Sequence, residues 1–326
     1  MTDAFDPHKI LAALRSVLPA HAPISLHEPC FGGNEWHYVK ECLDTGWVSS
    51  VGKYVDEFEK RLIEFTGAKS AVALVNGTAA LHICLKLVGV RENDEVIVPT
   101  LTFVATANAV SYCGAVPHFA DSDERTLGLD PAKLGSYLRD TGDVRRDGCY
   151  NKQTGRRIKA VVPMHTFGHP VALDPLSEVC SEFRLEMVEE AAESIGSYYQ
   201  NKHTGNWGRV SALSFNGNKV ITTGGGGAII TNDSELGRLA KHLTTTARVP
   251  HPWELIHDMV GYNYRMPNIN AALGCAQLEQ LPKFLKAKRS LADQYRKAFE
   301  DVDGVTFVSE PKDASSNYWL NALLLN

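Results

Sequence analysis

The stretch VSALSFNGNKVITTGGGGAIIT, residues 210–231, joins two strand-like apolar runs through a polar turn that carries Lys219. The runs cover residues 210–215 and 228–231, and four consecutive glycines, 224–227, precede the second. A lysine between two strands has a rigidly held backbone, so its amine can be aimed. Glycines beside it let another group approach the backbone closely, because no Cβ stands in the way. Taken alone, the same pattern also describes a hairpin with a slack turn and a solvated lysine.

Outward from this stretch, apolar runs at 71–75, 95–98, 116–120, 160–163 and 185–188 alternate with helical patterns. That alternation predicts βαβ units and a mainly parallel sheet, an α/β fold. Such a sheet binds ligands at the carboxyl ends of its strands. The polar residues stand there: Asn76-Gly77-Thr78, Pro99-Thr100, His165 and Glu189-Glu190. Asn76-Gly77-Thr78 opens a helix, so free amides and the Thr78 hydroxyl can hold a phosphate. No GK[ST] ending follows, which favours a phosphomonoester over a nucleoside triphosphate. Glu189 and Glu190 precede small residues, as if packed on something flat. A buried carboxylate there needs a cation, and a protonated heterocyclic nitrogen would serve. Phosphate site, carboxylate and lysine together are what pyridoxal 5′-phosphate (PLP) requires.

Composition excludes other classes. The formal net charge of −5 over 326 residues shows no basic bias for nucleic acid. No apolar run reaches the length of a membrane helix. Seven cysteines stand singly without a CxxC pair, which predicts free thiols, a reducing cytoplasm and no metal cluster. Residues 1–265 are expected to form one large domain whose N-terminus is an amphipathic helical arm with Ile10, Leu11, Leu14 and Leu18 on one side. Residues 140–157 read as a surface excursion. A long helix is expected over residues 268–299, kinked or divided at Pro282. Strands at 305–308 and 318–325 would begin a smaller C-terminal domain over 266–326, ending on an unfinished strand pair as a fragment would.

Seven motifs in order are similar to the DegT/DnrJ/StrS-type aminotransferases, PLP enzymes of fold type I (aspartate-aminotransferase-like) that act on nucleotide-linked keto-sugars. They are WVSS at 47–50, NGTAAL at 76–81, PTLTFVATANAV at 99–110 and MHTFGHP at 164–170. EEAAESIGS at 189–197, SFNGNK at 214–219 and GYNYRMPNINAALG at 261–274 complete the set. The stretch 28–53 with TTGGGGAI most resembles the branch acting on UDP-linked 4-keto-6-deoxy-N-acetylhexosamines, of legionaminic- and bacillosamine-type pathways.

The resemblance implies that Lys219 is the Schiff-base lysine and the base that moves the proton. It implies that Gly77, Thr78 and Ser214 hold the phosphate, that Phe103 lies against the ring, and that Glu190 and Glu193 serve the ring nitrogen and hydroxyl. Asn263 would reach the neighbouring subunit's cofactor, making a homodimer with shared sites. Trp47, Ser49 and Arg265 would contact the sugar nucleotide or the amino donor, L-glutamate, which leaves as 2-oxoglutarate. The family usually has aspartate where Glu190 stands, so the carboxylate retreats or the ring shifts, or else Glu189 or a small backbone adjustment takes part. Two further readings are a PLP-dependent sugar dehydratase, whose relatives carry histidine in place of Lys219, and a catalytically silent regulatory protein.

Overall fold

The computed structural model describes residues 6–20 and 23–325. Strands β1 (Ser70–Leu74), β2 (Glu95–Pro99), β3 (Val116–Ala120), β4 (Gly142–Arg145), β5 (Gly148–Asn151), β6 (Arg157–Val161) and β7 (Glu186–Glu190) lead into the strands Val210–Ser214 and Gly227–Thr231. These nine form one sheet. Its main path runs β1, Gly227–Thr231, Val210–Ser214, β7, β6, β2, β3. From Val210–Ser214 to β3 every pairing on this path is parallel, and only Gly227–Thr231 runs against its neighbours. The mainly parallel α/β expectation holds. β2 and Gly227–Thr231 are buried at every position, and apart from Glu95, which is held by His118, Asn151 and Thr154, their sequences are apolar or small instead of alternating.

The antiparallel Gly227–Thr231 strand is what makes the site. It places Leu74 on one side of Gly227 and Ser214 on the other. The carboxyl ends of β1 and Val210–Ser214 therefore meet at one edge, and β7 ends beside them with Ala212 opposite Glu190.

Three expectations change. Residues 140–157 are not a plain excursion, because β4 and β5 pair as a hairpin that docks on β6. The helix Asn268–Phe299 continues through Pro282 as one element of 32 residues. Residues 318–325 are strand only at Leu323–Leu325, paired with Val305–Phe307. Tyr318 takes φ of 48°, a left-handed turn that ends any extended run. On the N-terminal helix Pro7–Val17, Ile10 and Leu14 join Ala13 against Phe299 and Val305, while Leu11 faces out. No described helix is long and apolar enough to cross a membrane, and no described group of His, Cys, Asp and Glu is arranged to hold a metal.

Candidate active site

The helix Gly77–Leu87 starts at the end of β1, and the Asn76 carboxamide caps it by accepting the Ala79 amide at 2.7 Å. A Cβ on Gly77 would fall 2.8 Å from the Ser214 Cβ, so glycine is what lets the helix start reach the neighbouring strand. Gly77, Thr78 and Ser214 line a cleft of about 340 Å³ together with Phe103, Glu190, Glu193 and Lys219. Seven of the predicted site residues therefore share one cavity. Phe103 stays 66% exposed at the edge of this cleft.

Lys219 sits on the connection between Val210–Ser214 and Gly227–Thr231, its amide bonded to the Asn216 carbonyl at 3.0 Å. Its Nζ lies 3.2 Å from Glu193 Oε1. The other Glu193 oxygen accepts the Phe167 amide at 2.8 Å, which requires Phe167 to adopt a left-handed φ of 56°. Burial raises the Glu193 carboxyl, with the Lys219 charge pulling the other way. Burial pushes the neighbouring Glu190 carboxyl up to about 7, despite a hydrogen bond donated by Thr106.

Successive residues on a strand face opposite sides of the sheet, and this separates the two glutamates. Glu190 faces the cleft. Glu189 is fully buried on the other face, accepting the amides of Gly205, Trp207 and Gly208 and pairing with His165 Nε2 at 3.0 Å. Burial would raise Glu189, yet His165 and those amides hold it below the ordinary carboxylate range. The thought that Glu189 could take part at the ring is thereby corrected. His165, whose Nδ1 accepts the Val171 amide at 3.2 Å, is a bonded structural histidine.

The glycines are also corrected. None of 224–227 lines the cleft. A Cβ on Gly227 would meet the Asn76 and Gly77 backbone at 2.5–2.6 Å, and one on Gly226 would strike Thr223 and Met266. Gly226 and Gly227 make room for the protein's own chain, whereas a Cβ on Gly224 or Gly225 would meet nothing nearer than 3.8 Å.

Asn263 and Arg265 do not line the Lys219 cleft. They border a separate cleft with Ser50, Arg248 and His251. Arg265 is buried there, its Nη1 2.7 Å from Glu59 Oε1. Trp47 and Ser49 are exposed on a loop whose carbonyls are tied to Asn268. The Asn268 carboxamide donates to Trp47 O at 2.7 Å and accepts the Tyr54 amide at 3.0 Å, while its backbone amide bonds Ser49 O at 2.6 Å. Asn268→Ala would strand the buried Tyr54 amide and release the loop, costing about 2–4 kcal/mol. Thermal unfolding should show that loss, and limited proteolysis should show cleavage near residues 47–52.

Sequence reasoning missed Thr106 and Trp319. The Trp319 ring lies 4.0 Å beneath the Lys219 amine. Thr106 had a signal, being with Asn108 one of two polar residues among the small ones of VATANAV; Trp319 is presented by a turn and not by the strand expected there.

The donor set fits PLP. A capped helix start with Thr78 and Ser214 offers donors to a phosphate. A buried carboxyl, with only a hydroxyl for company, awaits a cationic nitrogen. A lysine amine stands between them.

Comparisons with known proteins agree. The GDP-perosamine synthase of Escherichia coli O157:H7 is 38% identical over 92% of this chain and 78% of its own. That of Caulobacter vibrioides is 42% identical over 83% and 69%. The solved structure of Helicobacter pylori PseC, an aminotransferase involved in pseudoaminic acid biosynthesis, superposes with a TM-score of 0.83 at 28% identity over 94% and 78%. Residues 29–326 match the profile of the DegT/DnrJ/EryC1/StrS aminotransferase family, and the chain belongs to that family of PLP-dependent enzymes.

Proposed function

We propose that the protein moves an amino group from L-glutamate to C4 of a nucleotide-linked 4-keto-6-deoxyhexose in polysaccharide biosynthesis. The observation that carries this reading is the Lys219 amine held 3.2 Å from Glu193 in a cleft shared with Gly77, Thr78, Ser214 and Glu190. When bound, PLP supplies an aldehyde for amines and a ring that accepts electrons. The helix start at Gly77, with Thr78 and Ser214, anchors its phosphate. Glu190, ionised once a cation faces it, keeps a ring nitrogen protonated. Lys219 would carry a proton between the substrate carbon that bears the nitrogen and the cofactor carbon bonded to that same nitrogen, with Glu193 steadying the charged amine. Phe103 covers the open face and excludes water.

The family pattern suggested a UDP-linked N-acetylhexosamine. The similarity to two GDP-perosamine synthases favours a GDP-linked sugar instead. A homodimer completes the site in this reading, because Asn263, Arg265 and Ser50 border a cleft of their own that a second copy could present to Lys219. A panel of GDP-, UDP- and dTDP-linked 4-keto-6-deoxyhexoses, each offered with L-glutamate, tests it. Release of 2-oxoglutarate is expected with a GDP-linked ketone. Turnover with none of the panel, by protein that binds PLP, would sink the proposal.

A further inference from the structure

Trp319 is more than a filler of the space beside Lys219. Its indole Nε1 donates to the Asn218 carbonyl at 2.6 Å, one residue before the lysine. Its backbone amide bonds Asn317 Oδ1 at 2.8 Å, and its carbonyl accepts Lys288 Nζ at 3.0 Å. Asn317 is buried and donates to the carbonyls of Glu193 and Ile195 at 2.8 and 3.0 Å. One asparagine thus ties together the backbones of Glu193 and Trp319, the two residues whose carboxylate and ring meet the Lys219 amine.

Trp319 also belongs to the apolar cluster containing Leu213 and Phe215, so packing alone is the plain account of it. Packing does not explain the direction of the ring. An aromatic face is electron-rich, and a cation held over it out of water gains attraction that an aliphatic side chain of equal volume could not supply. The lysine side chain is 13% exposed, so this cation is largely out of water.

We propose that Trp319 is a positioning residue, its indole face and the Glu193 carboxylate forming a cradle for the protonated Lys219 whenever that amine is not joined to the cofactor. This rests on the aminotransferase reading, which needs a lysine that leaves, carries a proton and returns. A ring face suits the task because it steadies the ammonium and cannot take the proton from it. A second carboxylate in its place would compete for that proton.

Fluorinated tryptophans test the cradle, since added fluorines drain the ring face and leave its shape nearly unchanged. They would replace all five tryptophans of the chain. Cofactor-free protein is treated at pH 7 with an amine-acylating reagent, and labelling is followed peptide by peptide. The Lys219 rate is expected to rise with each added fluorine, by about threefold to tenfold across the series. Solvated lysines away from tryptophan serve as references and stay constant, Lys202 over the Trp207 ring being left out of that set. Trp319→Leu should give a comparable rise, and Trp319→Phe a smaller one. A flat Lys219 rate across the fluorinated series overturns the proposal, whatever the leucine variant does. A graded response in protein that transfers no amino group keeps the cradle and removes the aminotransferase reading. A flat response in an active enzyme does the reverse.

Discussion

Lys219→Ala is expected to lower amino transfer by about 10³- to 10⁴-fold, the scale of losing a positioned acid–base group together with the covalent anchor. Borohydride treatment of the PLP-loaded wild type should fix the cofactor on the peptide containing Lys219, and the variant should show no adduct. The variant should still fold. Lys219 leaves behind one carboxylate, Glu193, that retains the Phe167 amide, and burial already favours its neutral form. Full activity in Lys219→Ala would remove both the dehydratase comparison and the mechanism above. A cofactor adduct that survives borohydride and denaturation on another lysine would relocate the site.

The second large effect concerns Glu190, and its sign is opposite for stability and for catalysis. The folded carboxyl sits at about 7 against an ordinary 4.5. Between those values the unfolded chain gives up a proton that the folded, cofactor-free protein keeps. Stability is therefore full below pH 4.5 and is lost as pH rises through 7. The whole loss is about 3 kcal/mol. Glu190→Gln removes the penalty and can still accept from Thr106. Cofactor-free Glu190→Gln should thus unfold several degrees higher than wild type at pH 8 and match it near pH 4.5. PLP reverses the ranking, because a neutral amide cannot hold the ring nitrogen's proton. Activity should fall about 10²-fold or more. Equal melting temperatures at pH 8 would show that the carboxyl is not held out of water as described.

The pairing of strand, turned lysine and second strand could be seen in residues 210–231 because each piece depends on neighbours in sequence. So could Gly77-Thr78 and Glu190, which sit at strand ends. The choice between Glu189 and Glu190 was also within reach, since a two-residue period decides which one faces the helix Gly77–Leu87. What escaped depends on distant partners. Whether a glycine admits a cofactor or a neighbouring backbone is settled by what lies across from it, and for Gly227 that is Asn76. Trp319 lay in a run with strand-like composition, and the turn at left-handed Tyr318 rests on the Ser316 and Asn317 side chains, which accept the amides of Tyr318 and Trp319. The ion pair of Arg265 with Glu59, some two hundred residues earlier, has no local signal.

The Asn317 hook also sets an order of events during synthesis. Its two acceptor carbonyls lie 124 and 122 positions upstream, and the Asn218 carbonyl that takes the indole lies 101 positions before Trp319. Asn317 and Trp319 are synthesised after every strand of the large sheet, so their contacts close after those strands have emerged. A chain emerging from the ribosome therefore holds Lys219, Glu190 and the helix start at Gly77 before the last wall around the lysine arrives. A half-made chain could already gather the vitamin, but only the late-arriving turn would give the lysine its finished surroundings.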